Sequence, residues 1–199
     1  MSLESVMGRF AQFYFKVVRN KKSFELSRFR MNSTSGIGVG KYLKAFEKSN
    51  TQHDLDFDNF SLECSYGYGY GRFYRVYSDA QYTLTLTYQG GEYDENLNAV
   101  ASIGFEVGGP STIIVKQIQG VSGKDSILKH LKWERMLLTI LMDWAKNAGF
   151  KTVKIIQAKS SHWYSSARHD SLFMKYDVTA RRSGFKFNQA DETYVRSLV

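Results

Sequence analysis

The stretch from Lys132 to Phe150, KWERMLLTILMDWAKNAGF, constrains the fold more than any other part of the chain. Its apolar residues recur at the spacing of one helical face, with Met136 and Leu141 widening the stripe. The face itself is formed by Trp133, Leu137, Ile140 and Trp144. Gly149 stands where a glycine commonly ends a helix. The pattern therefore predicts a long amphipathic helix with one face packed on the rest of the domain.

The segments on both sides of this helix read as β-strands, Thr112 to Gly120 before it and Lys151 to Ala158 after it. A strand, a helix and a second strand form a βαβ unit, whose two strands run parallel. Upstream, QYTLTLTY (Gln81 to Tyr88) alternates strictly, and Ala99 to Val107 is the returning strand. We therefore predict an α/β (α+β) fold whose mixed, mostly antiparallel sheet contains one βαβ unit.

The two ends of the chain complete this prediction. Ser2 to Val18 has helical apolar spacing, so residues 1–65 are predicted as an N-terminal helical and loop extension packed on an α/β domain of residues 66–199. Leu172 to Ser183 is predicted as the last helix, ended by Gly184, and a terminal strand begins at Phe185.

The composition is typical of a soluble protein in a reducing compartment. Its one cysteine, Cys64, excludes an intramolecular disulfide, and no apolar run approaches the roughly 20 residues that span a bilayer. The N-terminal charges follow the apolar part, which is the wrong order for a secretory signal. We expect a cytoplasmic protein without a membrane partner. The spacing of His162 and His169, with no cysteine nearby, predicts no metal site.

The net charge of +8 is distributed unevenly along the chain. Residues 1–30 hold seven Lys and Arg against two Glu, and residues 121–199 hold fourteen against seven acidic residues. The stretch between them is net acidic. Two basic ends around an acidic middle indicate a basic face, which is typical of proteins that bind polyanions.

The most biased stretch is Tyr66 to Tyr77, YGYGYGRFYRVY. Tyrosine rings and guanidinium groups stack on bases, and glycine lets a backbone approach closely. As one strand, the segment would present on a single face Tyr66, Tyr68, Tyr70, Arg72 and Tyr74. Two interpretations remain open: a platform for single-stranded nucleic acid, and a glycine-weakened strand whose tyrosines pack under a helix. The repetitive composition also allows homo-oligomers to form through this segment.

The order of elements from about Gln81 to Leu198 resembles the GNAT acyltransferase fold. The matching residues close the two long helices: Trp144, Ala145, Lys146, Gly149 and Phe150 in the first, and Ser183, Gly184, Phe185 and Lys186 in the second. The resemblance implies a site for the coenzyme A diphosphate at the N-terminus of the central helix, where backbone N–H groups can contact phosphate.

The residues over that implied site depart from the family's pattern. The loop from Lys129 to Glu134 lacks the family's glycines, and the Glu134 carboxylate would repel phosphates. If acetyl-CoA binds, the resemblance places it on Lys129, His130, Lys132 and Trp133. The family's tyrosine acid aligns with Ala180, and Tyr176, one helical turn earlier, is the candidate replacement.

Three hypotheses follow for the function. The leading one is a non-catalytic or catalytically degenerate GNAT-like protein that uses no cofactor and binds RNA or single strands through a basic, aromatic surface. Its expected contacts are Tyr68, Tyr70, Arg72, Tyr74, Arg75, Lys124, Lys129, Lys132, Arg181 and Arg182. The alternative is an N-acyltransferase that uses acetyl-CoA, with Glu106 and Glu134 as candidate bases and Tyr176 as candidate acid. A structural or assembly protein is the third.

Overall fold

The architecture is taken from a computed structural model of the 199-residue chain. It describes residues 30–32, 39–49, 54–70, 76–89 and 98–199. The predicted N-terminal helix, Ser2 to Val18, lies outside the described residues. So do Arg72, Tyr74 and Arg75, and the side chain of Tyr70 is not described either.

An eight-stranded mixed sheet forms the centre of the described fold, in the order β1-β2-β5-β6-β7-β8-β10-β9. Among the described strand pairs, β7 and β8 run parallel and the others run antiparallel. These strands are β1 (Arg30–Asn32), β2 (Phe60–Tyr66), β5 (Tyr82–Tyr88), β6 (Ala99–Gly109), β7 (Thr112–Gly120), β8 (Thr152–Ile156), β9 (Lys186–Asn188) and β10 (Thr193–Ser197). A two-stranded sheet pairs β3 (Gly69–Tyr70) with β4 (Tyr77–Ser78).

The helices are α1 (Gly40–Phe46), the short α2 (Asp125–Leu128), α3 (Trp133–Asn147), α4 (His169–Phe173) and α5 (Thr179–Arg182). A π-helical segment, Met174–Val178, joins α4 to α5, so residues 169–182 form one continuous helical stretch. Single 3-10 turns lie at Phe57–Asn59, Ala158–Ser160 and Ser166–Arg168.

Helix α3 lies where the sequence predicts the long helix, and its apolar stripe is in the core. Trp133, Leu137 and Ile140 are buried against the sheet, while Trp144 is half-buried and packs on Phe105 with ring centroids 6.1 Å apart. The antiparallel meander and the parallel β7–β8 pair around α3 also match the prediction. The predicted fold class is confirmed.

Strand β5 is buried on both faces, although its sequence alternates between apolar residues and threonine. Thr83, Thr85 and Thr87 are each at most 5% exposed. Two of these hydroxyls are paired, since the Thr83 Oγ1 lies 2.5 Å from Ser78 Oγ and the Thr87 Oγ1 lies 2.6 Å from Ser61 Oγ. The Thr85 hydroxyl has no hydrogen-bond partner among the described residues. Buried hydroxyl groups are tolerated when they are paired in this way.

Two predictions about the N-terminal half need correction. The predicted domain boundary between residues 65 and 66 lies inside β2, whose residues from Phe60 to Tyr66 all pair with β5. The sheet therefore extends into the predicted extension. The Tyr-Gly segment is not one strand, because β2 ends at Tyr66 and the chain turns before β3. Gly67 and Gly69 have φ of 116° and 88°, which other residues rarely adopt.

Within the part of the chain that the structure describes, no helix is long and apolar enough to cross a membrane.

Candidate functional site

A gap opens between β7 and β8, and the candidate site is built around it. The two strands pair only from Thr112 to Val115 on β7 and from Thr152 to Ile155 on β8. Strand β7 continues to Gly120 without β8 beside it. Lys116 is an extra residue in the ladder, since Val115 pairs with Phe105 and Gln117 with Gly104. Such a bulge bends a strand and increases its local twist, which separates the strand ends.

The π-helical segment fills part of this gap with two adjacent buried side chains. The Tyr176 hydroxyl accepts a hydrogen bond from the Ile118 N–H at 3.2 Å and donates to the Lys116 carbonyl at 3.3 Å. It thus occupies hydrogen-bonding positions on β7 that β8 leaves open. On the other side, Asp177 accepts from the Ala158 N–H at 3.0 Å and from the Tyr194 hydroxyl at 2.9 Å.

A cavity of about 990 Å³ lies along the free part of β7 and is called here the β7 pocket. Its walls are β7 from Gln117 onwards, the loop that carries Trp163, and the first turns of the C-terminal helical stretch. Tyr176 lines it, and Arg168 and Lys175 are its charged residues. Burial raises the pKa of the Tyr176 hydroxyl above its ordinary value, with the Asp79 charge adding to the effect. This group therefore stays protonated at neutral pH and can donate a proton.

A second cavity of about 640 Å³, the helix pocket, lies at the N-terminus of α3. The two pockets share the turn from Gly120 to Ser122 and the residue Lys175, so they lie next to each other and are together called the groove here. A Cβ atom at Gly120 would lie 3.1 Å from Leu128 and 3.4 Å from Trp133, so the end of β7 and the start of α3 are in close contact. The cations that line the helix pocket are Lys48, Lys129, Lys132, Arg135, Lys175 and Arg182.

Backbone groups at the mouth of α3 are already bonded to the segment after α1. Leu131 forms an antiparallel bridge with Glu47. The Lys132 N–H donates to the Phe46 carbonyl at 2.8 Å, and the Lys48 N–H donates to the His130 carbonyl at 2.9 Å. The Lys132 amide is therefore not available to a bound phosphate. The helix pocket also offers cationic side chains to an anion.

Glu134 lies among these cations in the first turn of α3 and lines the helix pocket. Burial raises the pKa of its carboxyl, while Lys175 and Lys48 act in the opposite direction. Once ionised, this carboxylate subtracts a charge from the pocket and repels anions.

The structure does not bring the three predicted catalytic residues together. Tyr176 lines the β7 pocket, Glu134 lines the helix pocket, and Glu106 lines neither. Both oxygens of Glu106 have partners, since Oε1 accepts from the Tyr68 hydroxyl at 3.0 Å and Oε2 lies 3.0 Å from the Lys116 Nζ. Four residues were expected to contact coenzyme A. Lys129, Lys132 and Trp133 line the helix pocket, and His130 does not.

The residues predicted to bind nucleic acid are likewise divided. Lys129, Lys132 and Arg182 line the helix pocket together. Arg181 and Lys124 line neither pocket. The Arg181 guanidinium lies 5.7 Å from the ring centroids of both Phe173 and Tyr194. Tyr68 is 64% exposed and is hydrogen-bonded to β6 through Glu106.

Several residues of the site are absent from the sequence-based prediction. Gln117 on β7 is almost fully buried and donates to the Tyr77 carbonyl at 2.7 Å. Its other amide atom, Oε1, accepts from the Asp79 N–H at 3.2 Å. Trp163 and Arg168 were also not predicted, because both stand in a polar stretch without a recognisable motif, and Lys175 was predicted only as an exposed residue of the last helix.

The described residues support neither a cysteine nucleophile nor a metal site. Burial raises the pKa of the Cys64 thiol to about 12, so this cysteine is not a thiolate nucleophile at neutral pH. The described residues contain no cluster of His, Cys, Asp or Glu that could hold a metal ion.

Comparison with known proteins completes the description of the site. No protein-family model and no curated protein matches the sequence. Among solved structures, a GNAT-family acetyltransferase from Staphylococcus aureus Mu50 is 15% identical, with a TM-score of 0.41, covering 59% of this chain and 68% of that one. A GNAT-family N-acetyltransferase from Escherichia coli in complex with CoA is 12% identical, with a TM-score of 0.36 and coverage of 60% of each chain.

A putative N-acetyltransferase from Lactobacillus plantarum is 14% identical, with a TM-score of 0.37, and covers 86% of this chain and 97% of that one. The fold here is described by its own topology: an antiparallel meander, a parallel pair joined by a long helix, and a final antiparallel strand. With this order of elements, the fold of the chain is GNAT-like.

Proposed function

We propose that this protein is an N-acyltransferase that uses an acyl-coenzyme A as the acyl donor. The observation that carries the proposal is the groove at the free end of β7, in which Tyr176 lines one pocket and cations line the adjoining pocket at the start of α3. An acyl-coenzyme A is long, narrow and anionic at one end. A groove with one cationic end and one proton donor matches that distribution of charge.

The cationic end fits phosphate groups through side chains. Lys129, Lys132 and Arg182 are exposed on the helix pocket and are free of ion pairs with other described residues. They would hold the phosphates of the donor, since charge-assisted hydrogen bonds are shorter and stronger than neutral ones. The Lys132 backbone amide is already bonded, so its contribution is the ammonium group of the side chain.

The other end of the groove supplies a proton donor. A bound acyl-coenzyme A presents an activated acyl carbon and a sulfur leaving group. Tyr176, buried and protonated, would donate a proton to that sulfur, with the hydroxyl leaving its weak contact at the Lys116 carbonyl. The Ile118 N–H, which now donates to the same hydroxyl at 3.2 Å, would hold the tyrosine oxygen in place.

Calorimetric titration with coenzyme A tests this proposal. We expect saturable binding, weakened roughly tenfold when Lys129 and Lys132 are both changed to alanine, which corresponds to about 1.4 kcal/mol. A matched control is the double variant Lys151→Ala with Lys186→Ala, which removes the same charge from exposed positions outside both pockets. Equal loss in both double variants would mean that only the overall charge attracts the ligand.

Nucleic-acid binding is the second candidate, favoured by the exposed cations Lys129, Lys132 and Arg182 on one surface. Titration with a short labelled RNA distinguishes it from the first. An RNA-binding protein would lose affinity steeply as salt rises, because bound counterions are released from the phosphates. Salt-dependent RNA binding without saturable coenzyme A binding would replace the acyltransferase proposal with this one.

A further inference from the structure

We propose that the β7 pocket receives an apolar amino acid as the acyl acceptor, and that Arg168 binds its carboxylate. This inference rests on the proposed acyltransferase function and names the class of acceptor. It is carried by three features of the pocket: the sign of its charge, the position of Arg168, and an aromatic wall held in place by hydrogen bonds.

The charge of the β7 pocket selects against cationic acceptors. Arg168 and Lys175 line it, and no aspartate or glutamate is among its described lining residues. Asp79 is outside this lining and is hydrogen-bonded to the Trp163 indole. A polyamine would therefore meet like charges at short range, whereas an acceptor with a carboxylate would neutralise one of them.

Arg168 is placed to bind that carboxylate. It ends the 3-10 turn Ser166–Arg168 immediately before α4, where its backbone N–H donates to the Ser165 carbonyl at 3.0 Å. Arg168 is exposed, lines the pocket and forms no ion pair with any other residue that the structure describes. A guanidinium of this kind can hold a carboxylate with two parallel hydrogen bonds.

The aromatic wall fits the hydrocarbon part of such an acceptor. Trp163 donates its indole N–H to Asp79 and meets the Tyr77 ring edge-on, with centroids 5.9 Å apart. Gln117 bonds both to the Tyr77 carbonyl and to the Asp79 N–H, so β4 is fixed to β7 behind the two rings. Leu172 adds an apolar contact surface. These three residues, Tyr77, Trp163 and Leu172, give the apolar side chain of an acceptor a contact surface within the pocket.

The reaction balances with these groups. The amine nitrogen of the acceptor, in its neutral form after one proton has passed to solvent, forms a bond to the acyl carbon as the carbon–sulfur bond breaks. The nitrogen then loses a second proton, which also passes to solvent. The leaving sulfur takes a proton from Tyr176, which is restored from solvent. The products are an N-acyl amino acid, the free thiol and one net proton.

Matched pairs of acceptors test the proposal with acetyl-coenzyme A as donor. Leucine, phenylalanine and tryptophan are each compared with their carboxamides, and spermidine serves as the cationic acceptor. We expect at least one amino acid to exceed its carboxamide at least tenfold in kcat/KM. The variant Arg168→Ala should abolish that preference by raising KM for the amino acid alone, Arg168→Lys should restore part of it, and Lys186→Ala should leave it unchanged.

Calorimetry supplies a readout that does not depend on turnover. In the presence of free coenzyme A, the preferred amino acid should bind to the protein and to Lys186→Ala, and at least tenfold more weakly to Arg168→Ala. Preference for the carboxamides or spermidine, or an unchanged preference in Arg168→Ala, would overturn the acceptor assignment while leaving coenzyme A binding intact. Absence of coenzyme A binding would overturn the proposed function and this inference together.

Discussion

At the scale of single residues, the Tyr176 hydroxyl is the group on which the proposed chemistry depends. The variant Tyr176→Phe removes one oxygen and keeps the ring that fills the gap between β7 and β8. We expect kcat for acyl transfer to fall by roughly 100-fold, because general acids typically contribute factors of this order. KM for acetyl-coenzyme A should change little. Steady-state kinetics at saturating acceptor measures both values.

Tyr42→Phe is the matched control for that variant. The Tyr42 hydroxyl donates to the Asp143 Oδ2 at 2.7 Å between α1 and α3, and burial followed by the Asp143 hydrogen bond raises its pKa. Losing this bond should lower the free energy of unfolding by about 1 kcal/mol without affecting kcat. If Tyr176→Phe kept full activity, the tyrosine would be a structural spacer in the gap and not the acid.

The sequence identified Tyr176 only by its spacing from Gly184, one turn before the position that the resemblance implied. Its neighbour Asp177 and the β7 residue Gln117 were missed, since their hydrogen-bond partners lie 17 to 40 residues away along the chain. A local pattern carries no information about such partners. Residue roles that depend on long-range hydrogen bonds become visible only once the strands are in register.

At the scale of elements, the π-helical segment Met174–Val178 connects the two sides of the gap. Tyr176 contacts β7 while Asp177 contacts the start of the turn after β8 and the Tyr194 side chain on β10. In the variant Asp177→Ala, the Ala158 N–H and the Tyr194 hydroxyl lose their acceptors in a buried setting. We expect the free energy of unfolding to fall by about 2 to 4 kcal/mol, measured by urea denaturation.

Asp177→Asn separates the loss of hydrogen bonds from a general effect of mutation at this site. The amide keeps an oxygen for the Ala158 N–H and can donate to the Tyr194 hydroxyl, so its loss of stability should be clearly smaller. A fall equal to that of Asp177→Ala would show that the charge of the carboxylate, and not its two acceptor oxygens, stabilises the element.

Elements with strong periodicity were predictable, and the exceptions have physical causes. Strand β7 has the predicted bounds, and α3 lies within the predicted stretch, since alternation and helical spacing are local properties. The last helix begins at His169, earlier than predicted, because its first turn is polar and exposed and gives no apolar signal. The turn at Gly67 and Gly69 was read as strand, since Tyr-Gly alternation has the same period of two.

At the scale of the whole molecule, the sequence predicted a basic face from the uneven distribution of charge. The fold shows which of these charged residues lie together. It places one carboxylate, that of Glu134, among the cations of the helix pocket. Charged residues on four other segments line the helix pocket with this group: Lys48 after α1, Asp125 on α2, Lys129 and Lys132 before α3, and Lys175 and Arg182 on the C-terminal helical stretch. The net charge of the pocket therefore depends on whether Glu134 is ionised.

The stability of the molecule should depend on pH through this carboxyl. Burial raises the pKa of Glu134 above its ordinary value of 4.5, so the unfolded chain releases this proton at a lower pH than the folded protein does. The contribution of the protonated group to stability is complete below the ordinary pKa and is lost as pH rises through the raised one. The variant Glu134→Gln keeps a neutral side chain at every pH. It should therefore be more stable than the parent at neutral pH and equal to it under acid conditions.

The affinity for coenzyme A should also depend on pH through the ionisation of Glu134. Removing the negative charge leaves the cations of the helix pocket unopposed, so Glu134→Gln should bind coenzyme A roughly three- to tenfold more tightly at neutral pH. The parent protein should approach this affinity as pH falls through the raised pKa of Glu134. Glu192→Gln, an equal change of charge at an exposed position that lines neither pocket, should leave affinity unaltered. Calorimetric titrations across pH measure the difference, and a constant ratio of affinities at all pH values would place the ligand outside the helix pocket.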